Sequence, residues 1–107
     1  MSDRKYCIVK TTTDNNQVAD TICNQLLTEH LAACIQSSQV HSFYRWQGKV
    51  NDDKEFQLEI KTRYALVEQV KSVICKNHNY DLPEVIVIPI QGGSSAYLDW
   101  IDAETHQ

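Results

Sequence analysis

The chain lacks most of what marks a sequence for a specialised class. It has no apolar run near the roughly 20 residues that a bilayer-crossing helix needs. Its four cysteines, Cys7, Cys23, Cys34 and Cys75, include no C-x-x-C pair, which removes zinc-ribbon and thioredoxin-type readings. There is no G-x-S-x-G, P-loop, G-x-G-x-x-G or H-E-x-x-H. No activated nucleophile or paired-carboxylate site is signalled, so a binding protein is expected before an enzyme. Positive charge is short as well. The formal net charge is -4, and nucleic acid or an anionic membrane calls for a positive field. Met1-Ser2-Asp3-Arg4-Lys5-Tyr6 contains no apolar stretch of signal-peptide length, so a cytoplasmic protein is expected. The thiols then read as reduced, small apolar residues.

What is present is the patterning of one domain over residues 1–107, long enough to bury a core without staples. Residues 5–11 are rich in strand formers. Asp14 followed by Gln17 makes a capping-box pattern. Val18, Ala19, Ile22, Cys23, Leu26, Leu27 and Leu31 then recur at helical steps. Cys34 to Trp46 reads as a strand, with Val40, Ser42, Tyr44 and Trp46 on one face and His41, Phe43 and Arg45 on the other. Gln47-Gly48 is a tight-turn signal, and the chain returns from Lys49 to Lys61 with Phe56, Leu58 and Ile60 alternating. Thr62 is placed to cap a second helix striped by Leu66, Val67, Val70, Val73 and Ile74. Residues 77–81 lose that period and read as a loop. Val85 to Ile88 is apolar throughout, with Pro89 limiting its ladder. Residues 96–103 form a short terminal helix.

The order β-α-β-β-α-β closes as an antiparallel sheet with both long helices on one face. The expected fold is therefore α+β, a ferredoxin-like βαββαβ sandwich with a long β2–β3 hairpin and a short C-terminal helix. The other face needs a cover. A strand over residues 49–61 spans about 43 Å at roughly 3.3 Å per residue. A helix over 14–30 spans about 25 Å at roughly 1.5 Å per residue. The hairpin therefore projects past the helices, carrying Phe43, Tyr44, Trp46 and Phe56. A closed ring of copies, each covering its neighbour's edge, resolves both exposures.

Candidate functional residues are few. His78 lies in a loop near Tyr80, Asp81 and Glu84, and imidazole with carboxylate is a donor pair for a transition metal such as copper. A helix-end histidine bonded to backbone is the alternative, since a metal site takes about three or four ligands. His30 reads as such a helix-end residue. Gly92-Gly93-Ser94-Ser95 precedes a helix, where free amides can hold an anion or a Ser can cap. Trp46, Lys61, Tyr80, Tyr97 and Trp100 are candidates for lining a cleft between subunits.

Several stretches together resemble one family: Leu31-Ala32-Ala33-Cys34, Tyr44-Arg45-Trp46-Gln47-Gly48-Lys49, Glu59-Ile60-Lys61-Thr62, His78-Asn79-Tyr80-Asp81-Leu82-Pro83-Glu84, Ile88-Pro89-Ile90 and Tyr97-Leu98-Asp99-Trp100-Ile101. In order and spacing they resemble the CutA family of divalent-cation tolerance proteins over nearly the whole chain. The resemblance implies a ferredoxin-like fold and a homotrimer with hairpins wrapped round a threefold axis. It implies a cytoplasmic setting in bacteria and a link to tolerance of copper and other divalent cations. Such a trimer is similar to that of PII-type regulators, which bind small effectors between subunits, so a small anionic ligand is the alternative partner. The family's proposed copper site combines a first-strand cysteine with two adjacent histidines. By the resemblance His78 matches the second histidine, whereas Asn77 and Thr11 stand at the other two positions. Cys7 lies four residues before Thr11, about 13 Å along a strand. On these expectations His78 and Glu84 are the metal candidates.

Overall fold

The computed structural model describes residues 5–106. The reading of Met1 to Arg4 lies outside the described residues. The elements are β1 (Tyr6–Thr13), α1 (Asn16–Thr28), β2 (Cys34–Trp46), β3 (Lys49–Arg63), a 3-10 turn (Tyr64–Leu66), α2 (Val67–Asn77), β4 (Ile86–Pro89) and α3 (Ser95–Glu104). The sheet order is β2-β3-β1-β4 and every ladder is antiparallel. This is the expected ferredoxin-like sandwich.

Strand register decides which side chains share a face. Cys7, Val9 and Thr11 lie opposite Thr62, Ile60 and Leu58, and all six are buried. Ala19, Ile22 and Leu26 of α1 and Val70, Val73 and Ile74 of α2 pack against them. Their spacings of three and four put each set on one side of its helix. The other residues of β1 and β3, among them Ile8, Lys10, Glu55, Glu59 and Lys61, point to the open face. Val40, Ser42, Tyr44 and Trp46 of β2 and Ile86 and Ile88 of β4 join them there by register.

Two pieces of the chain return over that face. The α3 helix docks at one end, where Arg63 Nε donates to Thr105 Oγ1 at 2.9 Å and Ile101 is buried. The segment between α2 and β4 closes the other end. Between them the face stays bare, with Ile86 48% and Ile88 39% exposed.

The hairpin behaves as its length implies. Pairing of β1 with β3 stops at Thr13 opposite Phe56, but β2 and β3 continue to Trp46 opposite Lys49. Residues 40–46 and 49–55 thus form a two-stranded ribbon, and the molecule is 44 Å along its longest axis. Gln47 (φ 50°) and Gly48 (φ 78°) turn it, both with positive φ as a two-residue type I′ hairpin requires. Phe43 and Val50 on the ribbon are about 70% exposed.

Three local expectations are corrected. The α1 cap is Asn15, whose side chain accepts from Val18 N at 3.0 Å, while Asp14 instead accepts from Asn79 Nδ2. Thr62 is inside β3, where its hydroxyl donates to Leu31 O at 2.6 Å, and the 3-10 turn begins the second helical segment. Asn77 belongs to α2 rather than to the loop. Pro89 ends its ladder as expected, as the last residue of β4, opposite Cys7.

Thr11 is fully buried and its hydroxyl has no partner among the described residues. An unmade hydrogen bond of a buried hydroxyl costs about 1–3 kcal/mol. Thr11→Val should therefore raise stability, by about 1 kcal/mol. Urea denaturation followed by circular dichroism measures it, and a lower midpoint would mean that the hydroxyl has a partner.

Candidate functional site

The loop that follows α2 is fastened to the first strand by a series of side chains. His78 Nδ1 accepts from Tyr80 N at 3.0 Å, so its Nε2 carries the proton and donates to Thr12 O at 2.8 Å. Thr13 Oγ1 donates to Asn79 Oδ1 at 2.6 Å, and Asn79 Nδ2 donates to Asp14. The His78 and Tyr80 rings pack at 4.8 Å. Tyr80 OH then reaches over the sheet to donate to Glu55 Oε2 at 2.7 Å.

Between this fastened loop and the ribbon lies a cavity of about 780 Å³. Its size is in the range of small-molecule sites. Thr12, Ser42 and Glu55 form the sheet side, and Phe43, Tyr44 and Trp46 extend it along the ribbon. Asn79 to Glu84 form the opposite side. Four aromatic rings and three carboxylates, Glu55, Asp81 and Glu84, therefore converge, and no Lys or Arg lines the space. Asp81 and Glu84 have no hydrogen bond or ion pair among the described residues. Asp53 adds a fourth negative group just behind Tyr44, from which it accepts a hydrogen bond.

The expected cleft residues fall into two groups within one chain. Trp46, Tyr80 and Glu84 share the cavity. Lys61, Tyr97 and Trp100 meet elsewhere: Lys61 Nζ donates to Tyr97 OH at 3.1 Å, and the Tyr97 and Trp100 rings lie 5.4 Å apart. Lys61 is opposite Cys34, and Trp46 is twelve residues farther along β2, about 40 Å of strand. Sequence reasoning missed Glu55 and Tyr44 as cavity residues. Their signal was available, since both fall on the open face by alternation.

The expected metal residues do not form a metal centre in one chain. Both His78 ring nitrogens are occupied by backbone groups, and among the described residues no three His, Cys, Asp or Glu side chains converge on one point. Asn77 Nδ2 donates to Gln25 Oε1 and to Val73 O, each at 2.9 Å, so it ties α2 to α1. Within one chain this arrangement does not fit a resident copper ion, and His78 and Glu84 do not meet in a three-donor group among the described residues. His30 meets its expectation, with Nδ1 3.3 Å from the Glu104 carbonyl at the end of α3. Ser94 caps α3 by accepting from Tyr97 N at 3.2 Å.

The carboxylates leave a mark on the two cavity tyrosines. Tyr44 is pushed up to about 12, first by its hydrogen bond to Asp53. Tyr80 is pushed up by burial and then by Glu55. Both phenols stay neutral in the folded chain above the ordinary value of 10. Their contribution to stability is thus complete below pH 10 and is lost as pH rises through about 12. Melting temperature should fall steeply from pH 10 to 12, and less steeply in a Tyr44→Phe/Tyr80→Phe variant. Thermal scans across that range check it, and equal slopes in both proteins would refute it.

With this geometry described, the likeness to known proteins is specific. The family described as CutA1 divalent ion tolerance protein matches residues 7–104. The chain is 41% identical to "Protein CutA, chloroplastic" of Arabidopsis thaliana over 92% of its own length, spanning 54% of that longer protein. It is 35% identical to "Divalent-cation tolerance protein CutA" of Pectobacterium atrosepticum, covering 96% of this chain and 97% of that one. The crystal structure of CutA1 from Oryza sativa superposes with a TM-score of 0.91 at 36% identity, over 97% of this chain and 96% of the other. Family match, relatives of similar length and superposition agree: the chain belongs to the CutA1 divalent ion tolerance family.

Proposed function

We propose that this chain works as a non-catalytic, homotrimeric binding protein in the response to divalent cations, copper among them, without holding copper at a centre built on His78. The observation that carries the reading is the unfinished surface. A sheet face bearing Ile8, Val40, Ile86 and Ile88 is only half covered, and a ribbon with bare edges projects beyond the helices. Exposed edges and apolar patches of this kind call for a partner. A closed ring of identical copies covers every such edge with the same contact. The relatives' names supply the tolerance role, and four unbridged cysteines suit a reducing compartment such as the cytoplasm.

The alternative, a PII-like regulator of a small anion, draws on Lys61 and its contact with Tyr97 near the N-terminus of α3. In a ring this cluster and the ribbon tip of a neighbour can meet. The cavity in a single chain carries carboxylates and suits an anion poorly.

Light scattering at micromolar concentration should give about 37 kDa, three chains of 12.3 kDa. A 12.3 kDa particle would overturn the assembly.

Calorimetric titration with Cu(II) should give the same weak heats for wild type and His78→Ala. The variant should nevertheless unfold more easily, by about 1–3 kcal/mol, because Thr12 O and Tyr80 N lose their partner. Saturable copper binding abolished by His78→Ala would defeat the reading.

A further inference from the structure

We infer that the cavity between the ribbon and the loop after α2 is the seat for the ribbon tip of a neighbouring copy, with that copy's Arg45 entering among Glu55, Asp81 and Glu84. The inference rests on the ring assembly proposed above and deepens it, by naming the two surfaces that meet.

The tip bears charge and apolar surface that its own chain leaves uncovered. Residues 43–50 hold two cations, Arg45 and Lys49, and no carboxylate. Neither side chain has a hydrogen bond or ion pair among the described residues. Arg45 lies directly opposite Val50 in the ribbon, so the two share a face, and Phe43 joins them by alternation. Val50 is 71% exposed and Phe43 70%. Arg45 and Val50 stand outside the cavity that their own chain forms.

The cavity is the complementary surface. Asp81 and Glu84 stand on its loop side without a partner among the described residues. Glu55 on its sheet side is 8% exposed, and its one partner among them is the neutral Tyr80 hydroxyl. A carboxylate so removed from water is normally paired with a cation, yet no Lys or Arg of the chain lines the space. In a ring that covers the open face, the covering copy supplies that positive charge. The aromatic walls, Tyr44, Trp46 and Tyr80, select its kind. A guanidinium stacks on rings and meets a carboxylate with two parallel hydrogen bonds, whereas an ammonium acts as a point charge. Arg45 is the guanidinium of the tip.

Tip and cavity are different surfaces, so a contact between them is heterologous: each copy gives its tip to one neighbour and its cavity to the other. Such a contact closes as a ring, with every tip seated and every cavity filled. It also gives the overhang a purpose. A ribbon no longer than the helix layer would not reach the loop of the next copy.

The test mixes unlabelled and isotope-labelled preparations in equal amounts and reads particle mass and subunit exchange by native mass spectrometry. Wild type should form particles of about 37 kDa, three chains of 12.3 kDa, that exchange slowly.

Arg45 and Glu84 are both exposed and unpartnered within the described residues, so Arg45→Glu and Glu84→Lys should fold as wild type does. Each should speed exchange about tenfold or more, or release single chains. The double variant Arg45→Glu/Glu84→Lys restores opposite charges and should return to within about threefold of the wild-type rate. Wild-type exchange in both single variants would overturn the inference and leave the ring standing, as would a double variant that exchanges as fast as the singles. Acceleration by Lys49→Glu alone would reject Arg45 as the seated side chain. A wild-type particle of 12.3 kDa would remove the ring and the inference with it.

Discussion

A sheet has two faces, and the two long helices of this chain cover one. Most of the remaining structure follows from that imbalance. The covered face is filled by Val9, Leu58 and Ile60 against Ile22, Leu26, Val70 and Ile74, and it gives the domain its core. The open face cannot be left to water, because β4 brings Ile86 and Ile88 to it. Charged neighbours such as Lys10 and Glu59 keep it from being a plain apolar surface. It is a surface suited to a specific contact: apolar enough to gain from burial, and charged enough to select orientation. The chain itself supplies a partial solution at each end, with α3 over Arg63 and the post-α2 loop over Glu55.

That second closure explains why the candidate site lies where it does. His78 joins two backbone points, Thr12 O on β1 and Tyr80 N within the loop. The loop is thus tied at its start to the end of β1, at the edge where β1–β3 pairing stops. The ribbon meanwhile projects beyond that edge, and the cavity is the space between a fixed loop and an overhanging hairpin. His78 acts through position rather than through donation to a ligand. Its imidazole supplies a donor and an acceptor at fixed separation, a pairing that an asparagine reproduces only with different reach.

Much of this was legible in the sequence. The bounds of β2 follow from strict alternation up to a Gln-Gly turn, and the overhang follows from counting residues against helix length. The misreadings have physical causes. Thr12-Thr13-Asp14-Asn15-Asn16 offers five cap-competent residues in a row, and the choice of Asn15 depends on Asp14 being claimed by Asn79, a residue 65 positions away. Thr62 reads as a cap because it precedes a helical stripe, but a strand two residues longer buries it. The cleft residues share a chemistry, aromatic or basic, but the same residue count that gives the overhang puts about 40 Å of strand between Trp46 and Lys61. Glu55 was passed over for a related reason. After Asp52, Asp53 and Lys54 it looks like one more solvated residue, and only the loop folding back over it makes it a buried carboxylate.

The same contrast between chemistry and position bears on copper. The family's proposed ligands would stand at Thr11, Asn77 and His78, and in this chain all three are absorbed by the fold. Thr11 points into the core, opposite Leu58 and fully buried. Asn77 bridges the two long helices through Gln25. His78 fastens the loop. A metal at His78 would have to displace its bonds to Thr12 O and Tyr80 N. Leaving a buried carbonyl or amide unpaired costs about 1–3 kcal/mol. Three carboxylates without a cation partner among the described residues, Glu55, Asp81 and Glu84, lie instead beside that loop, among aromatic rings.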